Sequence, residues 1–211
     1  MIPNRPFRLP ADNARGRLLE AGVKLVRSRG FAATSVADLC AEAGVTKGAF
    51  FHHFASKENL GIALADYWSE STLGFFGDAP YRLADDPLER ILGYIDLRIA
   101  LIGGPVENFS CVAGTMVQEN FRVSDRIRAA CRNSILANAA MFEDDMAKAV
   151  ERYGVDADPA ELAQHMQTVL QGAFVMAKTQ DDADAACLMA QASLRHLKRY
   201  LTLLFTPARG H

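Results

Sequence analysis

The stretch from Thr34 to Leu60, TSVADLCAEAGVTKGAFFHHFASKENL, carries the residue types and spacings that best fit a chemical task. Polar and basic side chains gather on or beside its second helical segment at Thr46, Lys47, His52 and His53. Such side chains can hydrogen-bond to the edges of bases. Gly48 and Ala49 are small, so the helix backbone could approach the floor of a DNA groove closely. The pattern therefore predicts contact with double-stranded DNA.

Phosphate contacts are expected from groups that flank this segment. The hydroxyls of Thr34 and Ser35 lie at a predicted helix N-terminus, where backbone N–H groups also point outward. Lys57 falls in the first turn of the following helix, and Arg5 and Arg8 lie on a basic N-terminal arm. These contacts would hold the protein on the duplex, while the second helix reads the bases.

Two short helices joined by a tight turn are needed to position these side chains. Their inward faces are predicted to hold Val36, Leu39 and Cys40 in the first helix and Phe50 and Phe54 in the second. Ser35 and Asp38 have the spacing of a capping box. Gly44 falls where a helix must end in a left-handed conformation that a Cβ would penalise. This is the geometry of a helix-turn-helix, whose second helix enters the major groove.

The segment resembles the DNA-binding signature of the tetracycline-repressor (TetR) family of bacterial regulators. The matching positions are Gly30, Phe31, Thr34, Ser35, Val36, Leu39, Ala43-Gly44-Val45, Lys47-Gly48, Phe51, His53-Phe54, Ser56-Lys57-Glu58 and Leu60. The resemblance implies an all-helical homodimer in which a three-helix head precedes a larger ligand-binding domain. A small molecule in that domain would change the spacing of the two heads and release the operator DNA.

The resemblance also implies roles for single residues. Thr34, Lys57 and Phe51 would lie near phosphates, and the positions near base edges would be Thr46, Lys47, Gly48 and His52. Phe51 stands where the family usually has tyrosine, so a phosphate hydrogen bond at that position is in doubt. Of the adjacent His52 and His53, one is expected to face DNA while the other packs or is solvated.

The remainder of the chain is predicted to be helical, with about nine helices in all and no strands. The expected domains are a DNA-binding domain over 1–60 and a ligand-binding and dimerisation domain over 61–211. After the head, helices are predicted over about 56–76, 87–103, 111–120, 124–152, 159–179 and 184–205. The last two carry apolar positions and small residues that favour a four-helix interface between two subunits. Packing within one subunit is the alternative.

A ligand pocket is expected among the helices of the second domain, lined mainly by apolar groups. The candidate residues are Tyr67, Trp68, Phe75, Tyr94, Arg98, Cys111, Met116, Phe142 and Phe174. Arg98 shares a helix face with Tyr94 and, inside the domain, would require an anionic ligand or a carboxylate such as Glu119. Core packing is the competing interpretation for each aromatic residue.

Cys111 follows a Gly-Gly-Pro-containing segment and begins a predicted helix, which makes its thiol a candidate for reaction with electrophiles. This helix is similar to the branch of the family typified by the N-ethylmaleimide reductase repressor. A buried, unreactive cysteine is the alternative. The other cysteines, Cys40, Cys131 and Cys187, are scattered without a CxxC pair, so neither a zinc site nor a disulfide framework is expected.

Composition narrows the class of protein further. The chain has 211 residues, of which 50% are hydrophobic and 23% charged, as in folded domains. Residues 1–60 contain nine Lys or Arg and five Asp or Glu, a net charge of +4, which leaves −6 for the rest of the −2 chain. A basic head on an acidic body indicates that the head meets a polyanion.

The sequence also argues against other classes. Neither a membrane-length apolar run nor a secretory leader is recognisable, so a cytoplasmic location is expected. Motifs of the GxSxG, P-loop and HExxH types are absent, and Cys111 with His165 is the sole conceivable catalytic pair. We expect a ligand-responsive repressor without metal or cofactor that binds a palindromic operator as a homodimer. The alternatives are an activator of the same fold or, less favoured, a helical enzyme.

Overall fold

The computed structural model describes residues 13–206, which form ten α-helices and two short 3-10 turns, with no strand in that range. The helices are α1 (Ala14–Arg29), α2 (Val36–Ala43), α3 (Lys47–His53), α4 (Lys57–Gly77), α5 (Pro87–Leu101), α6 (Val112–Asn120), α7 (Asp125–Ala140), α8 (Glu143–Tyr153), α9 (Pro159–Ala177) and α10 (Ala183–Leu204). The predicted all-helical class is confirmed. Within residues 13–206, every helix is too short or too polar to cross a membrane.

The chain divides into two compact units. The first comprises the described residues through Phe75 together with Ser110–Ile135, and the second comprises Phe76–Phe109 and the residues from Leu136 onward. The first unit thus contains the predicted head, α1–α3, but also α6 and most of α4 and α7. A head that shares its core with α6 differs from an independent three-helix module ending at residue 60.

The helices of the head begin and end where the local chemistry of the sequence predicts. The side chains of Asn13 and Thr46 accept hydrogen bonds from the first turns of α1 and α3. Ser35 and Asp38 form the predicted capping box at the start of α2. Gly44 ends α2 with a φ of 62° in the left-handed region, as expected. These caps satisfy backbone groups that short helices would otherwise leave without partners.

Aliphatic and aromatic side chains fill the core of the first unit. Leu39 of α2, Phe50 of α3 and Leu18 of α1 belong to one buried cluster. Leu64 from α4 and Met116 from α6 complete it, and all five residues are at most 1% exposed. A closely packed core fixes the angle between α2 and α3. The second helix of a helix-turn-helix needs such a fixed orientation to enter a DNA groove.

The second unit is built from α5, α8, α9 and α10, which pack on one another. The sequence predicts one long helix over 124–152, and this prediction is wrong at one point. The helix is interrupted at Met141–Phe142, between α7 and α8. Phe142 is fully buried with its ring centroid 4.3 Å from that of Tyr94, so packing of this side chain turns the backbone away from a continuous helix.

Candidate nucleic-acid interface

Helix α3 presents one face to the core and leaves its polar face open. Phe50 and Phe54 are 0% and 4% exposed, and their ring centroids lie 5.8 Å apart inside the head. The positions on and beside α3 that are predicted to contact bases or phosphates are all exposed: Thr46, Lys47, Gly48, Phe51, His52 and His53. We call these six exposed positions the α3 face.

Glycine at position 48 is not required by packing of the head itself. A Cβ built there would meet only the Thr46 hydroxyl, at 3.7 Å, an ordinary contact distance. The backbone at Gly48 has no left-handed conformation. The absence of a side chain at Gly48 therefore leaves room for a partner to approach the backbone of α3 closely.

The two predicted hydroxyl contacts to phosphate differ in the structure. Thr34 is 1% exposed, and its hydroxyl donates a 2.7 Å hydrogen bond to the carbonyl of Gly30. The prediction of a phosphate contact by this hydroxyl is therefore corrected, because the group is buried as well as bonded within the loop. Ser35 is exposed, and its hydroxyl donates to the Asp38 carboxylate at 2.6 Å. Arg5 and Arg8 lie outside the described residues.

The capping box has an electrostatic consequence for Asp38. Hydrogen bonds from the hydroxyl and then the backbone N–H of Ser35 lower the pKa of Asp38 to about 2. Arg29 adds to this effect through a 3.0 Å ion pair. A carboxylate that stays ionised at the N-terminus of α2 favours the helix through its dipole.

Lys57 lies in the first turn of α4 and is half-buried. Its ammonium donates a 3.2 Å hydrogen bond to the carbonyl of Ala32 and lies 4.5 Å from the ring centroid of Phe31. Burial lowers the pKa of Lys57, against the nearby carboxylates of Glu119 and Asp38, which raise it. An ammonium has three donors, so contact with a phosphate remains compatible with these partners.

Glu119 is a residue of this site that sequence reasoning did not identify. Its carboxylate accepts hydrogen bonds from the backbone N–H groups of Phe31 and Ala32, at 2.7 and 2.8 Å. The predicted pairing of Glu119 with Arg98 is wrong, because this carboxylate is engaged within the first unit. A separation of 88 residues leaves no local sequence signal for the contact.

The predicted ligand-binding residues fall into two groups. Tyr67, Trp68, Cys111 and Met116 belong to the core cluster of the first unit or pack against it. Tyr94, Arg98, Phe142 and Phe174 belong to the second unit. In that unit the guanidinium of Arg98 lies over the rings of Tyr94 and Phe174. The residues predicted to line one ligand pocket therefore belong to two different units of the chain.

The cysteines of the first unit differ in accessibility. Cys111 is the N-cap of α6 and its sulfur accepts a 3.3 Å hydrogen bond from the backbone N–H of Gly114. Cys131 is fully buried, and burial raises its pKa to about 12. Burial also raises the pKa of Cys40. In the part of the chain that the structure describes, no three His, Cys, Asp or Glu side chains are grouped so as to hold a metal ion.

Helices α2 and α3, joined by the turn at Gly44, have the arrangement of a helix-turn-helix motif. Residues 18–64 match the family model described as "Bacterial regulatory proteins, tetR family". This segment, which contains α2 and α3, is therefore similar to the TetR family, and the curated relatives described below are named as transcriptional regulators.

Curated relatives share different lengths of the chain. It is 28% identical over 181 residues to the transcriptional regulator AcuR of Cereibacter sphaeroides, covering 82% of this chain and 81% of AcuR. It is 26% identical over 204 residues to the transcriptional repressor NemR of Escherichia coli, covering 93% and 96%. The match to the uncharacterized regulator YerO of Bacillus subtilis, at 32% identity, spans 76 residues and only 26% of that protein.

A solved structure supports the same fold. The reduced form of E. coli NemR superposes with a TM-score of 0.73 at 23% identity, covering 89% of this chain and 96% of NemR. At 23% sequence identity, this structural similarity shows the fold alone.

Proposed function

We propose that the protein is a ligand-responsive transcriptional repressor that binds a palindromic operator as a homodimer. The observation that carries the proposal is the α3 face, whose five polar or small positions and the aromatic Phe51 are all exposed above a closed core. A reading helix needs this division between a rigid packed side and an open side. Several relatives carry the word repressor in their names, which favours repression over activation.

Dimerisation is supported by the distribution of exposed apolar side chains. Of the ten large hydrophobic residues that are exposed between residues 13 and 206, five lie on α9 and α10. They are Val175, Met176, Leu188, Tyr200 and Leu203. An isologous contact through these two helices would bury the residues in a four-helix arrangement. We call this set the α9–α10 face.

Release of DNA would follow from a shift between two arrangements of the dimer. An effector that binds better to the arrangement with the wrong head spacing lowers operator affinity by its difference in binding free energy. Glu119 offers one physical connection within the first unit, because it joins the end of α6 to the loop that precedes α2.

An electrophile is a second kind of effector that the structure makes testable at Cys111. This thiol is half-buried at a helix N-terminus, whereas Cys40 and Cys131 are buried and their pKa values are raised. Treatment with N-ethylmaleimide should label Cys111 ahead of Cys131 in a mass spectrum and weaken DNA binding. Cys111→Ser should abolish that weakening. Equal loss of binding in Cys111→Ser would remove this thiol from the proposal.

DNA binding is tested with the purified protein and DNA from upstream of its own coding region. Fluorescence anisotropy should show specific binding that weakens steeply as salt rises, because cationic heads displace counterions. Lys47→Ala should reduce affinity for this DNA about 5- to 150-fold, as expected for a base contact. Lys148→Ala, an equal change of charge on α8, should leave affinity unchanged.

The choice of DNA does not limit the test. Selection from a random duplex pool should enrich a palindrome that the wild-type protein binds and Lys47→Ala does not. A pool that yields no enriched sequence, together with equal affinity for wild type and Lys47→Ala on every duplex, would overturn the proposed function.

A further inference from the structure

The guanidinium of Arg98 in α5 is surrounded by aromatic rings of the second unit. Its central carbon lies 4.7 Å from the ring centroid of Phe76, 5.5 Å from that of Phe174 and 5.6 Å from that of Tyr94. All three rings are at most 5% exposed. Faces of aromatic rings attract a cation, so this cage holds the charge in place.

The rings hold the guanidinium but leave its Nε without a hydrogen-bond acceptor. The Nε of Arg98 is buried without a partner, and the side chain makes no ion pair within residues 13–206. Two arginines of the same unit behave differently, since Arg82 and Arg90 both bind the carboxylate of Asp145, at 2.8 and 2.7 Å. Arg98 as a whole is half-buried, so its charge is only partly removed from water. A partly desolvated guanidinium with a buried donor that lacks an acceptor is a position at which an anion would be bound favourably.

A second buried donor without a partner lies on α9. The Nε2 of Gln171 is buried and makes no hydrogen bond in the described part of the chain. Gln171 precedes Phe174 by three residues in α9, so the two side chains share a helix face. Phe174 in turn contacts the guanidinium of Arg98. Phe174 thus lies beneath the guanidinium of Arg98 and one helical turn from Gln171, so a ligand lying on this ring would be within reach of both donors.

We propose that the effector of this protein is a small organic acid whose carboxylate binds Arg98 and Gln171. Its hydrocarbon part would lie against the rings of Phe76, Tyr94 and Phe174. A monoanion matches a single positive charge, whereas a phosphate dianion would leave an excess negative charge among apolar rings. This inference rests on the proposed function and specifies the chemical class of its ligand.

The first test measures binding without DNA. Hexanoate, octanoate, benzoate and phenylacetate are titrated into the full-length protein at constant ionic strength, beside the primary amide of each acid. At least one acid should raise the melting temperature and bind in calorimetry, with its amide about tenfold weaker or worse. Arg98→Met should weaken binding of that acid about 30-fold or more, as for loss of one partner of a buried charged pair. Gln171→Leu should weaken it about 2- to 12-fold.

Two further variants separate a ligand-binding arginine from a structural one. Arg90→Met is the matched control, because it removes a partly buried arginine that already has its carboxylate. It should lower the melting temperature of the free protein and leave acid binding unchanged. Arg98→Met should leave the melting temperature of the free protein unchanged or raised. Arg98→Lys keeps the charge for the case that Met does not fold, and should bind the acid more weakly than wild type.

The outcomes distinguish this inference from the proposed function. Specific DNA binding together with equal effects of acids and amides, or with no effect of either, overturns the carboxylate inference and leaves the DNA-binding proposal standing. A fall in melting temperature for Arg98→Met equal to that for Arg90→Met also overturns it, because Arg98 would then be structural. Acid binding that depends on Arg98 without any specific DNA binding overturns the proposed function alone.

Discussion

The carboxylate of Glu119 accepts a 2.7 Å hydrogen bond from the backbone N–H of Phe31, and so joins the end of α6 to the loop before α2. The same oxygen accepts from Ala32 at 2.8 Å, and Lys57 donates to the carbonyl of Ala32 from α4. Gly30 makes this approach possible, since its φ is 88° and a Cβ there would collide with the carboxylate. These contacts link α6 and α4 directly to the loop from which α2 begins.

Removal of this carboxylate should loosen the head. Glu119→Ala leaves two N–H groups without their acceptor, at a cost of about 1–3 kcal/mol in the free energy of unfolding. Urea denaturation measures that loss, and operator affinity should fall with it. Glu119→Gln retains an acceptor oxygen and should keep most of the stability. Gln118→Ala is the control, because its amide donates to the carbonyl of Gly114 within α6 and not to the loop before α2. Equal stability of Glu119→Ala and Gln118→Ala would contradict the prediction.

Restoring a phenol at position 51 should strengthen DNA binding. Phe51 is 56% exposed on the α3 face, so Phe51→Tyr adds a hydroxyl without disturbing the core. A new hydrogen bond to phosphate is worth about 0.5–1.5 kcal/mol, which corresponds to about 2- to 12-fold tighter binding in anisotropy titrations. Phe121→Tyr makes the same change at a residue that is 51% exposed outside α3. Identical gains in both variants would show that the hydroxyl does not act at this interface.

Stability should depend on the ionisation of Asp38 in strongly acidic solution. Its pKa falls from an ordinary 3.8 to about 2 in the folded protein, chiefly through the Ser35 hydroxyl. A carboxylate with a depressed folded pKa contributes stability above its unfolded pKa, and this contribution is lost as pH falls through the folded value. Asp38→Asn should therefore be less stable than wild type near neutral pH. The gap should close between about pH 4 and pH 2 in unfolding titrations, and a gap independent of pH would refute this assignment.

Much of the head could be predicted because its signals are local. The helix caps act over three or four residues, so they can be recognised from the sequence. They are Ser35 with Asp38, Thr46 before α3 and Gly44 after α2. The exposure of Lys47 follows from the apolar spacing of α3 in the same way. The assignment of Thr34 failed because its hydroxyl is occupied by a carbonyl within the loop.

Such local patterns do not predict contacts between segments that are far apart in the sequence. The interruption between α7 and α8 carries no glycine or proline, and arises from burial of Phe142 and from the ion pairs of Asp145. The division of the candidate ligand-binding residues between two units has the same origin. Helical periodicity identifies an inward face but does not say which core it enters.

The Asp145 cluster should be a major source of stability in the second unit. Asp145 is 5% exposed and binds both Arg82 and Arg90, 63 and 55 residues away in sequence. Asp145→Asn leaves two partly buried guanidinium groups without their counter-charge, which should cost about 3–5 kcal/mol in unfolding free energy. Asp144→Asn is the neighbouring control, because this exposed carboxylate pairs only with Lys148 on the surface. Similar losses in the two variants would argue against a buried ionic cluster.

A charge placed on the α9–α10 face should separate the subunits. Leu203 is 63% exposed in the single chain, and Leu203→Arg would bury an unpaired guanidinium in the proposed four-helix contact. Light scattering should then change from the mass of two chains to that of one, 23.0 kDa. Operator affinity should also fall strongly, because each half-site is bound by the head of one subunit of the dimer. Leu83→Arg is the matched control at 85% exposure, outside α9 and α10. It should remain dimeric and bind DNA. A dimer that survives Leu203→Arg while Leu83→Arg dissociates would place the subunit contact elsewhere on the chain, because a charge disrupts association only where it becomes buried.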